Sequence, residues 1–379
     1  MIDSACAQDD SEREFLVADL FSGAGGFSLA AHACGAKIAF AIENNRHASE
    51  SYRQYFGVGN RSDAPCLYSE DILTLSADKI REKHFSEPGQ CDLLLGGPPC
   101  QGFSTHRINN AGVDDPRNGL VYAYFDFVRA LRPKAFLMEN VPGILWSRHK
   151  NYLGKFYEQG LKAGYRLFDP VTLDARDYGV PQRRKRVFIL GVDEGLDLGA
   201  FQWPPAPSHG SEKARTEDEN LLPWVPCSTV FIEAVPDDPN DRHMNHGPEL
   251  IEAFKRTPLN GGSRKDSGRI LPCHENHDGH KDVYGRINPS EPAPTMTTAC
   301  INPSKGRFVH PTEHHGITIR HAARIQTFPD EFVFHGGLIA AGAQIGNAVP
   351  VKLGMVLVKH IKSLIAEQEK SCSVVSDAA

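Results

Sequence analysis

Four short stretches of the 379-residue sequence combine residue types that could do chemistry together. The first is Gly96-Gly97-Pro98-Pro99-Cys100-Gln101-Gly102-Phe103-Ser104. Prolines stiffen the approach to Cys100 and glycines permit a tight turn, so the backbone presents the thiol instead of burying it. A thiolate is a strong nucleophile once its pKa falls or a partner takes its proton. The second stretch, Phe136-Leu137-Met138-Glu139-Asn140-Val141-Pro142-Gly143, ends an apolar run on a carboxyl group, as general acid catalysis would require. The third, Gln182-Arg183-Arg184-Lys185-Arg186, places Arg184 and Arg186 two apart at the start of a strand. That spacing predicts two guanidinium groups on one side, suited to a phosphate or a developing oxyanion. Taken singly, each could equally be a loop thiol, a solvated acid and a basic turn.

The fourth stretch is Asp19-Leu20-Phe21-Ser22-Gly23-Ala24-Gly25-Gly26-Phe27, a strand running into a Gly-rich turn that opens a helix. Such a turn lets backbone N–H groups approach a ligand, and Glu43, 20 residues after Gly23, stands where a carboxylate can take a ribose diol. This pattern alone serves a nicotinamide, a flavin, adenosylmethionine or no ligand at all.

These residues need a scaffold, and the chain supplies one in its first half. Short apolar runs at Phe15–Phe21, Ile38–Ile42, Asp92–Gly96, Ala135–Met138, Phe168–Leu173 and Arg186–Leu190 alternate with helical patterns such as Gly26–Cys34, Arg46–Tyr55, Val121–Leu131 and Tyr152–Ala163. The alternation predicts an α/β, doubly wound, mostly parallel sheet whose ligands lie beyond the carboxyl ends of the strands. Regular alternation stops after Gly191. The expected organisation is a polar N-terminus (1–14), a catalytic domain (15–195), a smaller irregular domain (196–315) reached through a linker at 203–220, a return to the catalytic domain (316–366), and a frayed tail (367–379).

Composition narrows the function classes. Hydrophobic residues at 40% and charged residues at 23% describe a globular chain. No run approaches the roughly 18 apolar residues of a membrane span, and Met1 to Glu14 lacks the character of a targeting peptide, so a cytoplasmic, nucleoid-associated protein is expected. Nine cysteines without a CxxC pair read as reduced thiols. The net charge of −6 argues against general coating of nucleic acid, yet residues 255–307 hold nine Lys or Arg against five Asp or Glu, a local source of phosphate contacts.

Taken together, the landmarks resemble the DNA (cytosine-5)-methyltransferases of the bacterial restriction-modification type. D-L-F-S-G-A-G-G-F is followed in order by Glu43-Asn44, Asp71-Ile72, G-G-P-P-C-Q-G-F-S, E-N-V, Q-R-R-K-R, R-H-A-A-R-I-Q-T-F-P-D from Arg320, and Q-I-G-N-A-V-P from Gln344. The resemblance spans about 16 to 365 and implies a Rossmann-like methyltransferase sheet with a target-recognition domain at 196–315. It implies S-adenosylmethionine as methyl donor and double-stranded DNA as partner. Cys100 would add to carbon 6 of cytosine, Glu139 would protonate N3, and Arg184, with Arg186 beside it, would face the ring O2. Cofactor contacts would be Phe21, Gly23, Ala24, Gly26, Glu43, Asn44, Asp71, Ile72, Gly97, Pro99, Leu120, Asn347 and Val349. Gln101, Ser104, Arg269 and Arg286 would face DNA, and Thr105 to Gly119 would close over an extruded base. A monomer is expected, with a cognate restriction endonuclease acting separately. His321 stands where relatives frequently carry an acidic residue, which puts a local packing or salt-bridge detail in doubt.

Three rival readings account for part of the pattern. A transfer-RNA cytosine methyltransferase would share the catalytic residues, but the Cys-Phe-Thr signature of those relatives is not matched by Cys227-Ser228-Thr229. A catalytically inactive DNA-binding relative would have lost the nucleophile or the acid. An oxidoreductase leaves Cys100, Glu139 and Arg184 without a role. The cluster Cys273, His274, His277, Asp278 and His280 lacks the spaced ligand pairs of a zinc site, so no metal is expected.

Overall fold

In the computed structural model, residues 13–98, 119–268 and 282–376 are described, with side chains through residue 368. Hydrophobic runs bounded by Gly-rich turns form β1 (Phe15–Leu20), β2 (Ala36–Ile42) and β3 (Cys66–Tyr68), with α1 (Gly26–Ala33) and α2 (Arg46–Phe56) between them. Asn45 caps α2, its side chain accepting from the His47 and Ala48 N–H groups. Then come α3 (Ala77–His84), β4 (Leu93–Gly96), α4 (Gly119–Leu131), β5 (Ala135–Asn140), α5 (Lys150–Lys162), β6 (Tyr165–Leu167), β7 (Val171–Asp174) and β8 (Lys185–Asp193). The irregular stretch contributes β9 (His209–Gly210), α6 (Glu212–Glu217), β10 (Leu222–Pro223) and α7 (Pro248–Arg256). The chain closes with α8 (Ile319–Ile325), α9 (Leu338–Asn347) and α10 (Val351–Ser376).

The main sheet runs β3-β2-β1-β4-β5-β8-β6, with β7 also on β8. The first five strands are parallel, whereas β8 is antiparallel to β5, β6 and β7. The order reverses between β1 and β4, which opens a crevice at their carboxyl ends. One face of the sheet is covered by α1 and α10, with Phe27, Ala31, Leu357 and Ile361 buried against it. The other is covered by α3, α4 and α5, through Ile80, Tyr124, Phe125 and Phe156. A third apolar cluster joins residues 227–334 to Tyr52 and Phe56 of α2 and Ile345 of α9.

The mostly parallel doubly wound sheet is therefore present, with local departures from expectation. Of the expected strand Phe168–Leu173 only Val171–Leu173 lies in a strand, β7; β6 lies just before it, and Phe168-Asp169-Pro170 separates the two, the proline having no N–H for a ladder. Short β3 and polar α3 carried too little periodicity to be anticipated. The stretch expected as a linker at 203–220 contains β9 and α6. The expected tail from Glu367 continues α10, since Ala366, Glu367 and Gln368 are good helix formers. Gln368 also grips Asp197, its amide donating to the Asp197 carbonyl and its Oε1 accepting the Asp197 N–H.

Candidate active site

The sheet brings the ends of β1, β4 and β5 side by side: Leu20 pairs with Gly96, and Gly96 with Met138. Glu139 thus leaves β5 beside Gly97, where a Cβ would lie 3.4 Å from Glu139 Oε2. The neighbouring Asn140 donates its Nδ2 hydrogen to the Pro98 carbonyl at 3.3 Å, pinning the chain two residues before Cys100. Pro99, Cys100, Gln101, Ser104 and Arg269 lie outside the described residues, as do residues 105–118 and the Cys273 to His280 cluster.

Antiparallel pairing of β8 with β5 sets the start of one strand against the end of the other, with Asn140 opposite Val187. Arg186 consequently reaches Glu139, with Nε 2.9 Å from Oε1. The contact is close but not aligned as a hydrogen bond, so Oε1 is buried without a donor of good geometry among the described residues. Burial pushes the Glu139 carboxyl above its ordinary range, and the facing Arg186 and Arg184 only partly oppose this. A carboxyl so placed can hold a proton and deliver it to a partner within hydrogen-bond reach.

Arg184 does not share that position. Residues 182 and 183 precede the strand and pair with residue 293 instead: Gln182 bridges Ala293, and the Arg183 N–H donates to the Ala293 carbonyl. Arg184 is thereby fully buried, with its Nη groups donating to the carbonyls of Met296, Gly346 and Ala348 at 2.8 to 2.9 Å. The expectation that Arg184 faces a substrate ring is corrected: its terminal donors are occupied by backbone, and Arg186 is the guanidinium on the acid.

The Gly-rich turn forms the other wall. Phe21 and Gly23 adopt left-handed φ values of 57° and 56°, and Gly25, at 97°, is the N-cap of α1. A left-handed Phe is uncommon and signals a constrained turn. Gly26 is required by a close approach, since a Cβ there would lie 2.5 Å from the Val349 carbonyl oxygen. The region between α9 and α10 therefore returns to close the site. Glu43, at the end of β2, accepts from the Gly23 N–H at 2.8 Å and the Asn45 N–H at 2.6 Å, and burial raises its pKa.

Asp71, beyond β3, caps the short helical turn Ile72–Thr74 through the Leu73 N–H. Ile72, Ala24 and Val349 are buried, Leu120 opens α4 half-buried, and Asn44 and Asn347 are exposed. The hydroxyl of Ser22 is buried in the turn without a hydrogen-bond partner among the described residues. An unpartnered hydroxyl at Ser22, a carboxylate at the β2 end and glycines at the closest approach fit a polar, adenosine-bearing cofactor.

Arg286 also departs from expectation. Its side chain is fully buried and donates to the carbonyls of Phe254, Thr257, His310 and Glu313, with His314 Nδ1 at 2.9 Å. It ties residues 254–257 to 310–314 and presents no donor to DNA. Sequence reasoning also missed Asn140 and the buried Asp19, whose carboxyl accepts from Ser28 Oγ at 2.6 Å and is pushed up to about 7 by burial. Both stood within quoted motifs, but only tertiary contacts reveal what they hold.

No helix among the described residues is long and apolar enough to cross a membrane. Nor do those residues include a group of three or more His, Cys, Asp or Glu side chains able to hold a metal ion.

Comparison with known proteins gives the same fold and a specific family. A Type II methyltransferase of Haemophilus parahaemolyticus, M1.HphI, is 32% identical over 345 residues, covering 90% of this chain and 85% of that protein. A second, M1.BsuMI of Bacillus subtilis, is 33% identical over 363 residues, covering 91% and 79%. A crystal structure of a putative prophage-encoded DNA modification methyltransferase of Escherichia coli superposes with a TM-score of 0.68 at 25% identity, covering 93% of this chain and all of that one. The family profile described as C-5 cytosine-specific DNA methylase matches residues 15–363, and the chain belongs to that family, as a DNA cytosine-5 methyltransferase of the bacterial restriction-modification type.

Proposed function

We propose that the protein transfers a methyl group from S-adenosylmethionine to carbon 5 of a cytosine flipped out of duplex DNA, with Cys100 as covalent nucleophile. The observation that carries the reading is the shared edge of β4 and β5. Asn140 holds the Pro98 carbonyl on the loop leading to Cys100, and the adjacent Glu139 carries an elevated pKa and a buried oxygen without an aligned donor. Carbon 5 of cytosine is a weak nucleophile. Addition of the Cys100 thiolate to carbon 6 converts the ring to an enamine that attacks the methyl group, while Glu139 donates its proton to N3. Arg186 keeps a cation against Glu139 and toward the ring oxygen. A base such as water then takes the carbon 5 proton, the bond to Cys100 breaks as the 5,6 double bond re-forms, and N3 returns its proton to Glu139.

S-adenosylmethionine supplies an electrophilic methyl group on a sulfonium. Phe21, Gly23, Ala24 and Gly26 would shape its cradle and Glu43 would take its ribose hydroxyls. Asn44, Asp71, Ile72, Gly97, Pro99, Leu120, Asn347 and Val349 would complete its contacts. The region 196–315 is assigned to target recognition, with Gln101, Ser104 and Arg269 toward DNA and Arg286 reassigned to its interior. A separate endonuclease partner fits the restriction-modification relatives. The test is bisulfite sequencing of DNA from a methylation-free bacterial host expressing the protein, with Cys100→Ser as control. Protection of cytosines within one short word, absent in the control, is the expected result. Unprotected DNA from folded protein would overturn the reading, and methylation of RNA alone would shift it to the RNA substrate.

A further inference from the structure

Three buried side chains outside the reacting groups converge on one piece of backbone. Gln326, at the end of α8, donates from Nε2 to the carbonyls of Ile345 and Ala348. Arg184 donates from Nη2 to the carbonyls of Gly346 and Ala348, both at 2.8 Å. Gln182 joins the two systems: its Nε2 donates to Gln326 Oε1 at 2.7 Å, and its Oε1 accepts the Met296 N–H at 2.8 Å. All three side chains are fully buried.

The gripped segment is short and informative. Carbonyls 345, 346 and 348 bracket Asn347, which is exposed at the end of α9. Two residues on, Val349 presses its carbonyl against Gly26 of the Gly-rich turn. The opposite side is equally tight, because a Cβ on Gly346 would lie 2.2 Å from the Thr297 carbonyl carbon. Backbone carbonyls at the end of a helix lack intrahelical donors, and burial makes their satisfaction obligatory. A guanidinium with several fixed donors can hold two of them in one orientation. Apolar packing alone would not fix that geometry.

We propose that Arg184, Gln182 and Gln326 form a knot that positions the 345–349 backbone for the methyl donor, making Arg184 a positioning residue for the cofactor instead of a contact to the cytosine. The knot rests on the adenosylmethionine reading of the Gly-rich turn. Gln182 and Arg184 also hold the Met296 backbone, a contact that Gln326→Met leaves in place.

The test measures equilibrium affinities of the full chain for S-adenosylmethionine by calorimetry and for a duplex oligonucleotide by fluorescence anisotropy. Arg184→Met and Gln326→Met are expected to weaken S-adenosylmethionine binding by roughly 10- to 100-fold, as a displacement of about 1 Å in a positioned group does. DNA affinity is expected to change by less than about 3-fold, under half a factor of 10. Arg184→Lys, which keeps a cation and up to three donors, should recover part of the loss. If Arg184→Met does not fold, Gln326→Met carries the test. Unchanged S-adenosylmethionine affinity in a folded variant, or equal losses for both ligands, would overturn the knot's role. A wild-type chain that does not bind S-adenosylmethionine would instead overturn the reading on which it rests.

Discussion

His321→Gln should make the protein more resistant to acid by an amount set by one hydrogen bond. Thr318 caps α8, and in the reciprocal half of the capping box His321 Nδ1 accepts the Thr318 N–H at 3.3 Å. Only a neutral Nδ1 can accept. Burial, Arg324 and the neighbouring His315 and His243 lower the His321 pKa to about 4, against 6.5 for the free imidazole. The sign follows directly. The folded pKa lies below the unfolded one, so stability is fully present above 6.5 and is lost as pH falls from there toward 4. At pH 5 the unfolded imidazole lies about 1.5 pH units below its midpoint, and at about 1.4 kcal/mol per unit the loss is about 2 kcal/mol. Glutamine accepts the same hydrogen bond and does not titrate. Urea unfolding of wild type and His321→Gln at pH 7.5 and 5.0 should therefore show stabilities within about 0.5 kcal/mol of each other at pH 7.5 and a gap of about 2 kcal/mol in favour of the variant at pH 5.0. Comparing the two proteins at each pH cancels other titrations, including that of buried Asp19, which acts in the opposite direction. A gap that does not change between the two pH values would refute the assignment of a neutral imidazole to this cap.

Three further outcomes follow from the geometry. Arg286→Met should destabilise the fold by about 3 kcal/mol or more in urea unfolding, since it removes the guanidinium donors from four carbonyls; weakened DNA binding at wild-type stability would contradict its placement inside. Gly26→Ala must displace the Val349 carbonyl or the turn, so S-adenosylmethionine affinity should fall by roughly 10-fold or more; calorimetry showing no change would contradict the close approach. Glu139→Gln removes the proton donor and should lower kcat by about 10²- to 10⁴-fold with little change in DNA affinity; single-turnover methylation at a near-normal rate would refute the acid role.

The parallel half of the sheet was legible because its strands are short apolar runs punctuated by Gly and Pro. Glu139, Glu43 and the Gly-rich turn fall where those runs end. The two arginines were not separable from spacing alone. A period of two held only if both lay in β8, whereas Arg184 precedes the strand and follows residues that pair with Ala293, more than 100 positions away. Arg286 was misread for a similar reason: a basic residue in a polar, Gly-rich stretch looks solvated until the carbonyls around it are placed. In the sequence His321 shows only as a departure from an acidic position. Its use as a capping acceptor became evident only with the α8 backbone, because an imidazole is an acceptor in one protonation state and a donor in the other.

The covalent bond between Cys100 and cytosine carbon 6 is the central claim, and it can be trapped. With fluorine at carbon 5, the final loss of a proton cannot occur and the cysteine stays attached after methyl transfer. Full-length protein should be incubated with S-adenosylmethionine and a duplex carrying 5-fluorocytosine at the target position, digested, and analysed by mass spectrometry. The account predicts a nucleotide adduct on the peptide containing Cys100, dependent on S-adenosylmethionine and absent from Cys100→Ser. An adduct on another residue, or active enzyme that turns over ordinary DNA and forms no adduct with the fluorinated duplex, would contradict it.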